Sequence, residues 1–120
     1  MIVGIGVDTI EIARVVHSCE REHFVNRIFT PGEIAQFDKN KRRAASDFAG
    51  KEAVVKVFGT GFQEIEAREI EILRGDLGEP QVKLYGKAKK KAEELQIHEF
   101  MISITNTKEL ATAFVIGIRR

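Results

Sequence analysis

Asp8, Glu52 and Lys56 are the side chains whose types and spacing best suit chemistry on a phosphate. Asp8 closes an apolar run, Ile2 to Val7, so its carboxylate stands at the end of a rigid element. Mg2+ is held by one or two carboxylates together with water and substrate phosphate oxygens, which makes such an aspartate a candidate ligand. The plain alternative is a first-turn acid that stabilises a helix N-terminus. Glu52 and Lys56 are four residues apart and share a helix face, and a functional reading gives Glu52 to a metal and Lys56 to a phosphate. Glutamate four residues ahead of lysine is also the favoured order for a simple surface pair. Lys51 adds a second cation beside them, and Gly59-Thr60-Gly61 offers backbone that a ligand could approach or a helix could end on.

Other chemistries find little support. Gly4 and Gly6 lack the third glycine of a dinucleotide fingerprint, and there is no Walker A pattern. His17, His23 and His98 lack paired ligand spacing, which argues against zinc and against a histidine-based triad. Cys19 is the only cysteine, so no intrachain disulfide can form, and its place in an amphipathic stretch suits packing better than nucleophilic attack. With 19 basic and 18 acidic residues the net charge is +1, against the large basic excess of a general nucleic-acid binder. The runs Lys39 to Arg43 and Lys87 to Lys91 are local basic patches or solvated faces. The N-terminal residues have no basic stretch before the apolar run and are not expected to act as a signal peptide. No apolar run nears the ~20 residues that span a bilayer, so the cytoplasm is the expected compartment, with no membrane and no nucleic-acid partner.

The elements that must position these residues can be read in order. Ile2–Val7 is expected as a buried strand, with Asp8-Thr9 starting a helix that runs from Ile10 to about Arg21. Thr30-Pro31-Gly32-Glu33 is a capping box with proline at the first helical position, opening a short helix through Phe37. A longer helix is expected from about Ala44 to Phe58, stopped by Gly59. Ile65 and Ile70 to Leu73 suggest strands, Gly75 to Gly78 a turn, and Gln81 to Leu84 another strand. Tyr85 to Leu95 reads as a helix, and Phe100 to Thr105 and Ala111 to Ile118 as strands. The 120 residues form one α+β domain, 1–120, with a mostly antiparallel sheet and packed helices.

Three blocks in order resemble the small stand-alone 4'-phosphopantetheinyl transferases. Gly4 to Arg14 is similar to the family's G-x-D-x-x-E-I-x-R opening, and Phe48 to Gly61 to its F-A-x-K-E-A-x-x-K-A-x-G-T-G segment. Ser103 to Asn106, followed by Ala111, Ala113 and Val115, is similar to the closing S-[IL]-[ST]-H-x-x-x-x-A-x-A-x-V. Phe29-Thr30-Pro31-Gly32-Glu33 and Gly78-Glu79-Pro80 add smaller matches, so the likeness spans nearly the whole chain.

The resemblance implies transfer of the phosphopantetheine arm of coenzyme A to a serine of an apo-acyl carrier protein, in support of fatty acid synthesis. It gives Asp8 and Glu52 to Mg2+, Lys56 to the diphosphate, and Arg14, with Arg21 beyond it, to the acidic carrier protein. Gly59, Thr60, Gly61 and Asn106 would then line the coenzyme A site, and Arg42 and Arg43 are charge-based candidates for its phosphates. It also implies a homotrimer with sites between subunits, leaving Asp8 and Glu52 free to come from different chains. The serine proton goes to a carboxylate or to a coordinated water. Two departures stand out: Asn106 replaces the usual histidine, and Glu79 the usual lysine of the G-K-P turn. Asn106 keeps hydrogen bonding but loses charge and proton transfer, which leaves a non-catalytic binding module of the same fold as the alternative.

Overall fold

The computed structural model describes residues 1–62 and 64–120. Strand β1 (Ile2–Glu11) runs into helices α1 (Ile12–Ser18), α2 (Glu22–Ile28), α3 (Pro31–Phe37) and the long α4 (Arg42–Phe58). A short 3-10 turn at Ala67–Glu69 leads to β2 (Ile70–Arg74) and β3 (Pro80–Leu84), then α5 (Gly86–Glu94), β4 (Glu99–Asn106) and β5 (Leu110–Ile118). Two antiparallel sheets result, one ordered β1-β5-β4 and one pairing β2 with β3. This is the α+β, antiparallel architecture expected from the sequence.

Helix α4 is the axis of the domain. Its buried positions are mostly small, Ala44, Ala45, Ala49, Gly50 and Ala53, with Val54, Val57 and Phe58 toward its C-terminal end. Small residues let the sheet approach closely, and Gly6 of β1 shows how closely: a Cβ there would overlap the Ala53 carbonyl. Gly6 is therefore a packing glycine. One core spreads from Ala53 and Val54 to Ile70, Ile72, Ala113 and Val115; a second gathers Ile12, Phe29, Phe37 and Ala111. Phe29 and Phe37 meet edge to face at 4.9 Å, locking α3 beneath the chain entering it.

Thr30 caps α3 as expected: its side chain accepts from the Glu33 amide while Glu33 accepts from the Thr30 amide. Gly59 ends α4 in the left-handed region at φ 78°, so the glycine pattern first acts as a C-cap.

The first strand is longer than the sequence suggested. Asp8-Thr9 does not start a helix; β1 continues to Glu11 because Asp8, Thr9, Ile10 and Glu11 each find a register partner on β5. Thr9 and Thr112 add a cross-strand hydroxyl bond of 3.0 Å, and helix α1 begins only where the Ile12 amide turns to the Glu109 carbonyl. Long-range pairing here outweighs local helix-start chemistry. Helix α2 was not foreseen, being seven residues without a side-chain cap. Ile65 is buried in a loop rather than in a strand.

Candidate active site

Alternation along β1 puts Gly6 and Asp8 on one face, the face that α4 covers. Glu52 and Lys56 lie one turn apart on α4, beside Ala53, whose carbonyl sits against Gly6. Close packing of the two elements therefore brings the three side chains together within one chain. The resemblance left the carboxylates free to come from different subunits; in this fold both belong to the same one.

Lys56 does not pair with Glu52. Its ammonium donates instead to Asp8 Oδ1 at 3.0 Å and to the Val7 carbonyl at 2.9 Å. That bond fixes the Asp8 carboxylate while its second oxygen, Oδ2, stays buried without any partner. Burial of Glu52 pushes its carboxyl above the ordinary range, and the charge of Asp8 adds to the rise; Lys56 pulls the other way. Two neighbouring acids, one of them with an orphaned buried oxygen, are suited to a shared divalent cation. Among the described residues no third acid, histidine or cysteine joins them, which matches Mg2+ better than zinc, since Mg2+ retains water and substrate oxygens.

A cleft of about 570 Å3 opens beside Glu52, walled by Ile28, Phe48, Phe62 and Ile65, with Arg27 and Arg68 among its lining residues. Neither arginine stands out in the sequence, because α2 and the 3-10 turn at Ala67–Glu69 carry no motif. A second, polar pocket of about 230 Å3 is lined by Arg43, Ser46 and Asn106, with Gly78 and Pro80 of the β2–β3 turn. Asn106 Nδ2 donates to Ser46 Oγ at 2.8 Å, away from the carboxylates. Glu79 is engaged in its own turn, accepting from the Leu77 amide at 2.9 Å.

The remaining sequence candidates fall in three places. Arg42 is spent on the Thr107 and Lys108 carbonyls, both at 3.0 Å. Thr60 lines a pocket of about 430 Å3 with Lys87, Lys90 and Lys91 and the acids Glu64 and Glu94, while Gly59 and Gly61 occupy left-handed turn positions beside it. Arg14 lines a small groove with Val15, Phe24 and Leu110, and Arg21 lies over the Phe24 ring at 6.0 Å, so the two arginines flank one surface.

Lys51, read from the sequence as a second cation beside Glu52 and Lys56, is buried and engaged elsewhere. It is 1% exposed, pairs with Glu33 at 2.7 Å, and donates to the Ala67 and Ile70 carbonyls. Glu33 in turn accepts from the Ile72 amide at 2.8 Å. Burial lowers the Lys51 ammonium and raises the Glu33 carboxyl, and their attraction opposes both shifts. The pair ties α3, α4 and β2 together one residue before Glu52.

Against this geometry the comparisons with known proteins are specific. The profile of the 4'-phosphopantetheinyl transferase superfamily matches residues 4–115. The chain belongs to this superfamily. A holo-[acyl-carrier-protein] synthase of Lachnoclostridium phytofermentans is 55% identical over 117 residues, covering 98% of this chain and 96% of that protein. The crystal structure of a holo-[acyl-carrier-protein] synthase from Neisseria meningitidis superposes with a TM-score of 0.89 at 30% identity, covering 99% of this chain and all of that one. A Bacillus anthracis synthase in complex with coenzyme A (3',5'-ADP) superposes at 0.82 with 31% identity, covering 100% of this chain and 99% of that one. The superfamily assignment thus rests on nearly the whole length, and the matched region contains Asp8, Glu52 and Lys56.

Proposed function

We propose that this 4'-phosphopantetheinyl transferase moves the phosphopantetheine arm of coenzyme A to a serine of an apo-acyl carrier protein. The products are the holo-carrier protein and adenosine 3',5'-bisphosphate, and the reaction supports fatty acid synthesis. The observation that carries the reading is the meeting of Asp8, Glu52 and Lys56, with Asp8 Oδ2 buried and unpartnered.

The residues fit Mg2+: Asp8 and Glu52 would hold it. When bound, the ion supplies positive charge to the diphosphate whose bond is broken. Lys56, paired with Asp8 but half exposed, would reach phosphate oxygens from the same position and neutralise charge on the leaving nucleotide. The serine oxygen forms a bond to the phosphorus bearing the pantetheine arm, the bond from that phosphorus to the adenosine bisphosphate breaks, and the serine proton passes to a base. That base is a carboxylate or a water in the site.

The cleft beside Glu52, about 570 Å3 and walled by Ile28, Phe48, Phe62 and Ile65, suits the pantetheine arm in volume and in its apolar walls. Asn106 and Arg43 belong to a separate polar pocket, which supports assigning them to the nucleotide phosphates of coenzyme A and leaves the chemistry independent of a histidine at position 106. Gly59, Thr60 and Gly61 border the same ligand in this reading. Arg42, held by two carbonyls, is a weaker candidate. Arg14 and Arg21 are assigned to the acidic carrier protein.

The same reading makes the enzyme a cytoplasmic homotrimer. Its support is the outer face of the β1-β5-β4 sheet, where Ile5, Val7, Met101 and Phe114 are 60, 51, 56 and 42% exposed. A solvent-facing sheet is ordinarily polar on that side, so an apolar one asks for a partner. Release of adenosine 3',5'-bisphosphate on mixing the chain with coenzyme A, Mg2+ and an apo-acyl carrier protein tests the function. Release that requires all three reactants is expected; none would overturn it.

A further inference from the structure

Arg74, at the end of β2, reaches into the polar pocket that Arg43, Ser46 and Asn106 line. No acidic side chain is among the described residues lining that pocket. Arg74 is nine-tenths buried, and its Nη1 lies 2.9 Å from Oδ1 of Asp47, which is itself 1% exposed. At this distance the two charges attract, but the contact is not aligned as a full hydrogen bond at Nη1, so the buried guanidinium keeps donor capacity at the edge of a site with room for a phosphate.

We propose that Arg74, together with Arg43, binds a phosphate group in this pocket, and that Asp47 competes with that phosphate for Arg74, so anion binding is accompanied by proton uptake at Asp47. The proposal rests on the coenzyme A reading, which makes the ligand a phosphate at the nucleotide end of that molecule. Asp47 faces Arg74 from β2, Glu33 from α3 and Lys51 from α4. Burial pushes its carboxyl up to about 7, with Glu33 adding to the rise and Arg74 and Lys51 opposing it. Near neutrality both forms of the carboxyl are therefore populated, and the protonated form holds the guanidinium less strongly. An anion arriving beside Arg74 favours that form further, because it disfavours a second negative charge nearby. Affinity for the phosphate then rises as pH falls through neutrality.

Titration calorimetry with adenosine 3',5'-bisphosphate at pH 7, in two buffers of different ionisation enthalpy, counts the protons taken up on binding. Subtracting the count for Asp47→Asn removes the ligand's own titration, and that variant keeps the side chain's shape. Wild type is expected to take up as much as about half a proton more than Asp47→Asn. Asp47→Asn is expected to bind more tightly than wild type at pH 8. Arg74→Gln is expected to bind roughly tenfold or more weakly and to lose the extra uptake. Equal proton counts in wild type and Asp47→Asn overturn the proposal alone, even if Arg74→Gln fails to fold. Wild-type affinity in a folded Arg74→Gln also overturns it alone. No binding by wild type overturns the coenzyme A reading and this proposal with it.

Discussion

Lys56 and Asp8 are 48 residues apart in sequence and 3.0 Å apart in space, and their bond occupies only one of the two Asp8 oxygens. The lysine thus orients the carboxylate without satisfying it. A carboxylate held this way beside a second acid is a site prepared for a cation, and the lysine remains exposed enough to serve a phosphate as well.

Asp8→Asn, Glu52→Gln and Lys56→Met should each lower kcat/KM for transfer by roughly 100-fold or more, the scale seen when one stabilising group is removed from a transition state. All three lie at the margin of the core, so folding should survive, which circular dichroism checks. Near-wild-type kcat/KM in folded Asp8→Asn would remove Asp8 from the metal site.

The Glu33–Lys51 pair is where function meets stability. Lys51→Met leaves Glu33 buried without its cation, and removal of one partner from a buried pair costs about 3–5 kcal/mol. Denaturant unfolding measures this. The double variant Lys51→Met/Glu33→Gln should recover part of the loss, because a neutral amide no longer needs the ammonium and its one oxygen can still accept from either the Thr30 or the Ile72 amide. A single variant as stable as wild type would contradict the burial argument.

Much of this was legible in the sequence. The capping box at Thr30, the extent of α4, its glycine stop and the last two strands all follow from local patterns, and they appear at those places. Asp8, Glu52 and Lys56 were identifiable as residue types, and their convergence needed only that β1 pack on α4. What stayed hidden depended on distant partners. Asp8-Thr9 has helix-start chemistry, and only pairing with Ala113 and Thr112 makes it strand. Lys51 looks like one more cation until Glu33, eighteen residues earlier, is folded against it. Arg74 and Asp47 carry no pattern at all, since each is defined by the other.

Stability should respond to pH through Asp47. Its folded pKa of about 7 lies above the ordinary 3.8, so the fold favours the protonated carboxyl. The stability this contributes is fully present below 3.8 and is lost as pH rises through 7. Wild type should therefore gain stability relative to Asp47→Asn between pH 8 and pH 5 in urea unfolding. A constant difference across that range would place the Asp47 pKa outside it.

The exposed sheet face makes a prediction about assembly. Phe114→Asp or Met101→Lys puts a charge on a surface that a partner would bury, and burying an unpaired charge is strongly unfavourable. Light scattering should give a trimer for wild type and smaller species for either variant, with transfer activity falling in parallel. A wild type that is monomeric at micromolar concentration, with activity retained, would contradict a site completed by a neighbouring subunit.

The most direct test is the intact mass of a purified apo-acyl carrier protein after incubation with this chain, coenzyme A and Mg2+. The account predicts a gain of one phosphopantetheine group, lost when a chelator removes the metal and lost again when Asp8→Asn replaces the wild type. An unchanged carrier mass, with coenzyme A still bound by the chain, would contradict it and leave a binding module of the same fold.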